Sequence, residues 1–287
     1  MPILVPQIET FLATQSSFEL EMKVANRLRA WKFQVDHVGG YDDGVTGKRR
    51  EFDIRAKKQN GNLQVLLAVE CTVVDPGLLV YCSKRKTTEA GHQVLIGSNS
   101  VPVDTALATQ YTRKSSDSRI VTHPVNWTVY EPGQLVGRHR DYLKVQGNAV
   151  TRVGDKDFYD KVTQAIASIE AMLDDQFMLE LDGKKLAVAA IPIIVVPDDS
   201  LYVAEYDDDG NRLGVMSTKS ISQKVNFCLQ SPKFKLPVIS HVEIVAFSGL
   251  LDRLKDFLDV DRGQDNTPLF YGVGHHDGNW FHPEAGY

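Results

Sequence analysis

A chain of 287 residues, 43% of them hydrophobic, holds enough apolar material for one large domain or two ordinary ones. Its net charge of −5 and pI near 5.9 argue against a polycation that coats nucleic acid, although an enzyme acting on DNA needs only a local basic path. There is no apolar run of about eighteen residues, and MPILVPQIETF lacks the basic start of a secretory leader, so a cytoplasmic protein without a membrane span is expected. Cys71, Cys82 and Cys228 form an odd set without CxxC spacing and read as buried free thiols.

In chain order, Leu20, Val24, Ala25, Leu28 and Trp31 fall at three- and four-residue steps, which predicts an amphipathic helix over 16–31. Ser16 with Glu19 has the spacing of a capping box at its start. KFQVDHVGG, REFDIRAKK and LQVLLAVECTVV follow as three strands, the last two joined as a hairpin by the turn signal QNGN. PGLLVYCSK and VLIGSNS read as further strands, and VDTALATQYTRK (103–114) as a helix. Residues 115–155 carry no clear period, and a seam is drawn there between a 1–115 core and a 116–287 α/β part that either completes the same sheet or forms a separate interaction subdomain. In the second part Phe158, Val162, Ile166, Ile169 and Leu173 share one helix face. KKLAVAAIPIIVVP is a strongly buried strand, LYVAEYDDDGNRLGVM a hairpin turning at Asp209-Gly210, HVEIVAFS a strand and GLLDRLKDFLDV a helix. Basic clusters stand at 48–50 (KRR) and 84–86 (KRK), with Arg55, Lys57 and Lys58 between, while the acidic DDDG at 207–210 reads as a solvated turn.

The chemistry concentrates in residues 50–72, where two apolar strands each carry one acid, Asp53 in EFDIRA and Glu70 in VLLAVECT. A carboxylate in such a setting is costly to bury unless it is paired or binds a cation, and two together repel. A divalent cation with oxygen ligands resolves both problems; separate pairing with bases such as Arg55 or Lys57 is the plain alternative. Glu21 borders the apolar stripe of the first helix, whereas Glu19 is accounted for by the cap. In the tail, His275, His276 and Asp277 form a triplet best read as solvated surface. Ser248-Gly249 lacks the preceding glycine of a nucleophile elbow, and no Walker A or GxGxxG sequence is present.

A helix with Glu21 three residues before Val24, then a strand, then REFDI with Asp53, then an apolar strand ending in Val69-Glu70-Cys71 resembles the core of the PD-(D/E)XK nuclease superfamily. YDDGVTGKRREFDIRA and VECT are most similar to the restriction-endonuclease-like proteins of the Mrr and archaeal-resolvase type, and the likeness covers residues 16 to about 100. It implies an α/β restriction-endonuclease-like core with a mixed central sheet. Asp53, Glu70 and the Cys71 backbone carbonyl would hold Mg²⁺ (or Mn²⁺), and Glu21 would orient the attacking water or a second ion. The implied activity is metal-dependent hydrolysis of DNA phosphodiester bonds, in bacterial defence or DNA processing.

One position departs from that signature. The family carries lysine two residues after the acid, where this chain has Thr72. That lysine donates to the charge developing on phosphate, and threonine cannot carry the charge. Lys84 is the first candidate for a relocated lysine, ahead of Lys86 and Lys57. The alternative is a degenerate nuclease-fold module that binds DNA or a protein partner. A third reading makes the chain a subunit, with homodimer or partner contacts through the part after residue 115.

Overall fold

A computed structural model describes residues 3–14, 16–43, 47–60, 63–74, 76–86, 92–98, 113–114, 119–125, 133–153, 156–178, 186–228 and 238–258. Helix α1 (Val5–Thr14) precedes α2 (Phe18–Ala30), β1 (Gln34–Asp42), β2 (Arg49–Asn60), β3 (Leu63–Cys71), β4 (Gly77–Lys84) and β5 (His92–Ser98). The short β6 (Arg113–Lys114) and β7 (Arg119–Val125) follow, then β8 (Leu135–Gln146), β9 (Ala149–Val153) and α3 (Lys156–Met178). The chain continues through β10 (Leu186–Val196), β11 (Leu201–Tyr206), β12 (Arg212–Ser217), β13 (Ser220–Cys228), β14 (Val238–Ala246), a 3₁₀ turn (Phe247–Gly249) and α4 (Leu250–Leu258).

The fold is α/β, with one large mixed sheet whose main path runs β1-β2-β3-β10-β14-β13-β8-β4-β11-β12. β10 lies parallel to both β3 and β14, so a strand from beyond residue 116 sits at the centre, beside the hairpin from the first part. Its run of buried aliphatic residues fits that place, because a central parallel strand is covered on both faces. Strands from before and after residue 115 thus share one sheet.

Strand alternation divides the core into two layers. Val65, Leu67, Val69 and Cys71 of β3 pack with Ile191, Ile193 and Val195 of β10 under α2 and α4. Leu66 and Ala68 face the other way, toward the α3 stripe of Phe158, Val162, Ile166, Ile169 and Leu173. Leu78, Val80, Leu201 and Val203 from the far strands join that second cluster, so the sheet curls around α3.

Helix α2 stops in a Schellman motif: Phe33 N–H donates to Leu28 O at 3.1 Å and Lys32 N–H to Arg29 O at 2.8 Å. Lys32 holds the left-handed position with φ 62°. The Ser16–Glu19 capping box does not form. Ser16 Oγ receives Phe18 N–H at 3.3 Å, and Glu19 turns to Lys23, four residues on, at 2.5 Å. The β2–β3 hairpin forms as expected, in a register running from Asn60↔Leu63 to Ile54↔Val69.

Several elements carry no expectation from the sequence: α1, the β8–β9 hairpin and β13. Of the expected 103–114 helix, residues 101–112 lie outside the described residues, and Arg113–Lys114 is strand. Cys71 and Cys82 are buried free thiols. Among the described residues no helix is long and apolar enough to cross a membrane.

Candidate functional site

The hairpin register fixes where the two acids stand. Ile54 pairs with Val69, so the next step outward sets Asp53 opposite Glu70. Directly paired residues project to the same face, here the one covered by α3. At this step the ladder opens and side chains take over from backbone. Cys71 N–H donates to Asp53 Oδ2 at 2.8 Å, and Asp53 N–H approaches Glu70 Oε1 at 3.4 Å. On the outer side β1 is irregular as well: the β1–β2 register passes from His37↔Ile54 to Gly39↔Phe52 and skips Val38, which stands across from Asp53 with φ 53°. A β-branched residue in left-handed conformation is strained.

The third member of the cluster comes from α3. Lys161 Nζ donates to Asp53 Oδ2 at 2.8 Å and to Glu70 Oε2 at 2.9 Å. The same helix steadies the strand beside the acids, since Arg55 Nε donates to Ser168 Oγ at 2.9 Å and Gln164 Nε2 to Glu51 O at 2.5 Å.

Glu70 is 0% exposed. Burial, with the neighbouring Asp53 charge, pushes its carboxyl up to about 8 against the pull of Lys161. Burial works to discharge Lys161, but Glu70 and Asp53 outweigh it and hold the ammonium above the ordinary lysine range. Two acids and one base leave the cluster one negative charge in excess. A proton on Glu70 or an added cation relieves it. Burial, then Asp53, Glu21 and Glu70, also raise the Cys71 thiol, which remains a neutral apolar group.

The other expected site residues fall elsewhere. Glu21 is buried, but α2 covers the face opposite Asp53 and Glu70. Its Oε1 accepts Ser17 Oγ–H at 2.7 Å, and Oε2 lies 3.7 Å from His37 Nε2. Among the described residues no three His, Cys, Asp or Glu side chains gather into a metal-ligating group, so Glu21 does not complete a three-carboxylate set. Lys84 ends β4, and four strands intervene on the sheet path between β3 and β4. Lys86 pairs with Asp208 at 3.3 Å. Lys57 stands four residues along β2 from Asp53, about 13 Å at strand spacing. The Cys71 N–H turns to Asp53, and extended geometry turns the carbonyl of that residue to the same side. The His275–His276–Asp277 triplet lies outside the described residues.

Sequence reasoning missed Lys161. Its signal was a lysine one residue before Val162 at the margin of an apolar helix stripe, and nothing local tied that helix to the hairpin. A cavity of about 360 Å³ lies apart from the cluster, bordered by Leu135, Ile221, Ser222 and Arg253. Comparison with protein-family models, curated proteins and solved structures finds no match to this chain.

Proposed function

We propose that the Asp53–Glu70–Lys161 cluster is the centre of a Mg²⁺-dependent nuclease of the restriction-endonuclease-like kind, acting on DNA phosphodiester bonds. The observation that carries this reading is the juxtaposition of two carboxylates, one of them fully buried, on a single ammonium. The donor set suits a hard cation. Asp53 and Glu70 supply carboxylate oxygens. Mg²⁺ keeps several waters and needs only one or two carboxylates from protein. Mn²⁺ fits the same oxygens.

When bound, the ion would lower the pKa of the attacking water and offset charge on the scissile phosphate. The chain's own residues do the rest. Asp53 and Glu70 would hold the cation, with the Cys71 carbonyl beside them. Glu70 would give up its proton to hold a cation there, because a cation and a proton compete for one carboxylate. Lys161, charged throughout, is the donor for the phosphate oxygen that Thr72 cannot serve. The signature lysine has in this reading moved from the strand to a helix packed over it.

Cleavage of plasmid or branched DNA in Mg²⁺ is the test. Asp53→Ala and Glu70→Ala should each abolish cleavage, and Lys161→Ala should lower it by about two to three powers of ten. Cleavage that survives both acid substitutions rejects the assignment.

A second reading rests on the same contacts. Lys161 reaches both acids at hydrogen-bond distance and so acts as a built-in counter-ion, which suits a non-catalytic module that binds DNA or a protein partner. Calorimetry separates the two. Mg²⁺ binding that Glu70→Gln removes favours the nuclease, and absence of acid-dependent binding favours the module.

A further inference from the structure

Helix α1 is poorly suited to stand alone in water. Every residue from Ile3 to Leu12 is exposed, and no described element covers the helix. Ile3, Leu4, Val5, Ile8, Phe11 and Leu12 are large apolar side chains between 45 and 74% exposed. Leu4, Ile8, Phe11 and Leu12 follow the i, i+4, i+7, i+8 rhythm of one helix face. A ten-residue helix is marginal in water even from good helix formers, so its stability has to come from packing.

A second apolar surface stands on α2. Phe18 and Met22, one turn apart, are 54% and 38% exposed along the margin of the α2 face that buries Val24, Ala25 and Leu28. The two surfaces do not cover each other within the chain. At ordinary residue areas they expose together on the order of 900 Å², close to what one partner contributes to a stable interface.

We propose that α1 docks on a second copy of this chain, its apolar stripe packing over Phe18 and Met22 of the partner's α2, and the reverse, in a two-fold dimer. A two-fold exchange covers both surfaces at once, since each chain carries both halves of the contact. A lipid surface fits less well, because α1 has no lysine or arginine to meet anionic headgroups. The inference stands apart from the phosphodiester reading and survives its failure.

Light scattering on the full chain between about 1 and 100 µM tests it, with dimer mass expected in the micromolar range. Ile8→Asp with Phe11→Asp should give a monomer with an unchanged melting temperature, since α1 lies outside both core clusters. Met22→Asp should weaken the dimer as well. A chain that stays monomeric at 100 µM, or a dimer indifferent to these changes, overturns the proposal. With Ile8→Cys and Met22→Cys in one chain, oxidation should yield a covalent dimer; closure within a monomer overturns the exchange. Binding of the monomer to phosphatidylserine vesicles, lost in the aspartate variant, would assign α1 to lipid and overturn it too.

Discussion

Two glutamates are buried to 0% exposure in the central sheet, Glu70 on β3 and Glu243 on β14, with only β10 between their strands. Each meets a base from a helix packed over its strand. Arg253 of α4 donates to Glu243 Oε2 through Nε at 2.7 Å, and Ser222 Oγ donates to the same oxygen at 3.0 Å. There one buried acid meets a guanidinium whose second acidic neighbour, Asp256, stands 3.7 Å off and is 42% exposed to solvent. At Glu70 a second acid shares the one amine, and balance fails. In local sequence the two sites look alike, since LLAVECT and SHVEIVA both place Val-Glu inside an apolar strand. What separates the two pairs is the second acid, largely buried at Asp53 and open to solvent at Asp256.

Deleting the bases should break the likeness most sharply. Arg253→Ala strands Glu243 in the core and should lower stability by about 3–5 kcal/mol in denaturant titration. Lys161→Ala should cost less, on the order of 1–3 kcal/mol near pH 6, because Glu70 already favours its protonated form and escapes by keeping the proton. Equal losses at both sites would contradict the distinction.

Removing the acids should give opposite signs. Glu243→Gln leaves Arg253 without its buried counter-charge and should cost about 1–3 kcal/mol. Glu70→Gln leaves Asp53 and Lys161 balanced and should be neutral or stabilising by up to about 1 kcal/mol at pH 8. Glu70 should also give the metal-free protein a pH signature. Its carboxyl titrates near 8 in the fold and near 4.5 as an ordinary glutamate, so between those values the folded state holds the extra proton. That contribution is fully present below about 4.5 and is lost as pH rises through about 8. Glu70→Gln should flatten this part of the stability profile, and Mg²⁺ should stabilise the wild type more at pH 8 than at pH 6. A profile unaltered by the substitution would place the proton elsewhere.

The smallest effect belongs to the strain beside the acid pair. Val38 is exposed, so Val38→Gly loses little packing while relieving a left-handed β-branched residue; a gain of about 0.5 kcal/mol is expected from thermal melts.

Much of this was legible one element at a time. The α3 stripe is buried at all five expected positions, and the turn signal at 59–62 sets the hairpin register. The β8–β9 hairpin carried the turn signal Gly147-Asn148, yet its strands, with Arg138, His139, Arg140 and Asp141 in one row, lack a clean alternation. Glu21 could be placed at the margin of its helix stripe, but which face of the sheet that helix covers could not be read. Lys84 and Lys161 are both lysines near apolar runs, and nothing in either run says which strand lies opposite.

The sequence by itself allowed Asp53 and Glu70 to meet on one face, because strand alternation and a short turn act over a few residues, and a one-residue slip of the pairing would part them. Only the tertiary structure decided that Lys161 joins them, that Glu21 does not, and that β10 completes the sheet beside β3. Side-chain direction within an element is set by backbone stereochemistry, whereas the choice of neighbouring elements is set by burial summed over the whole chain, which is non-directional and carries no local signature.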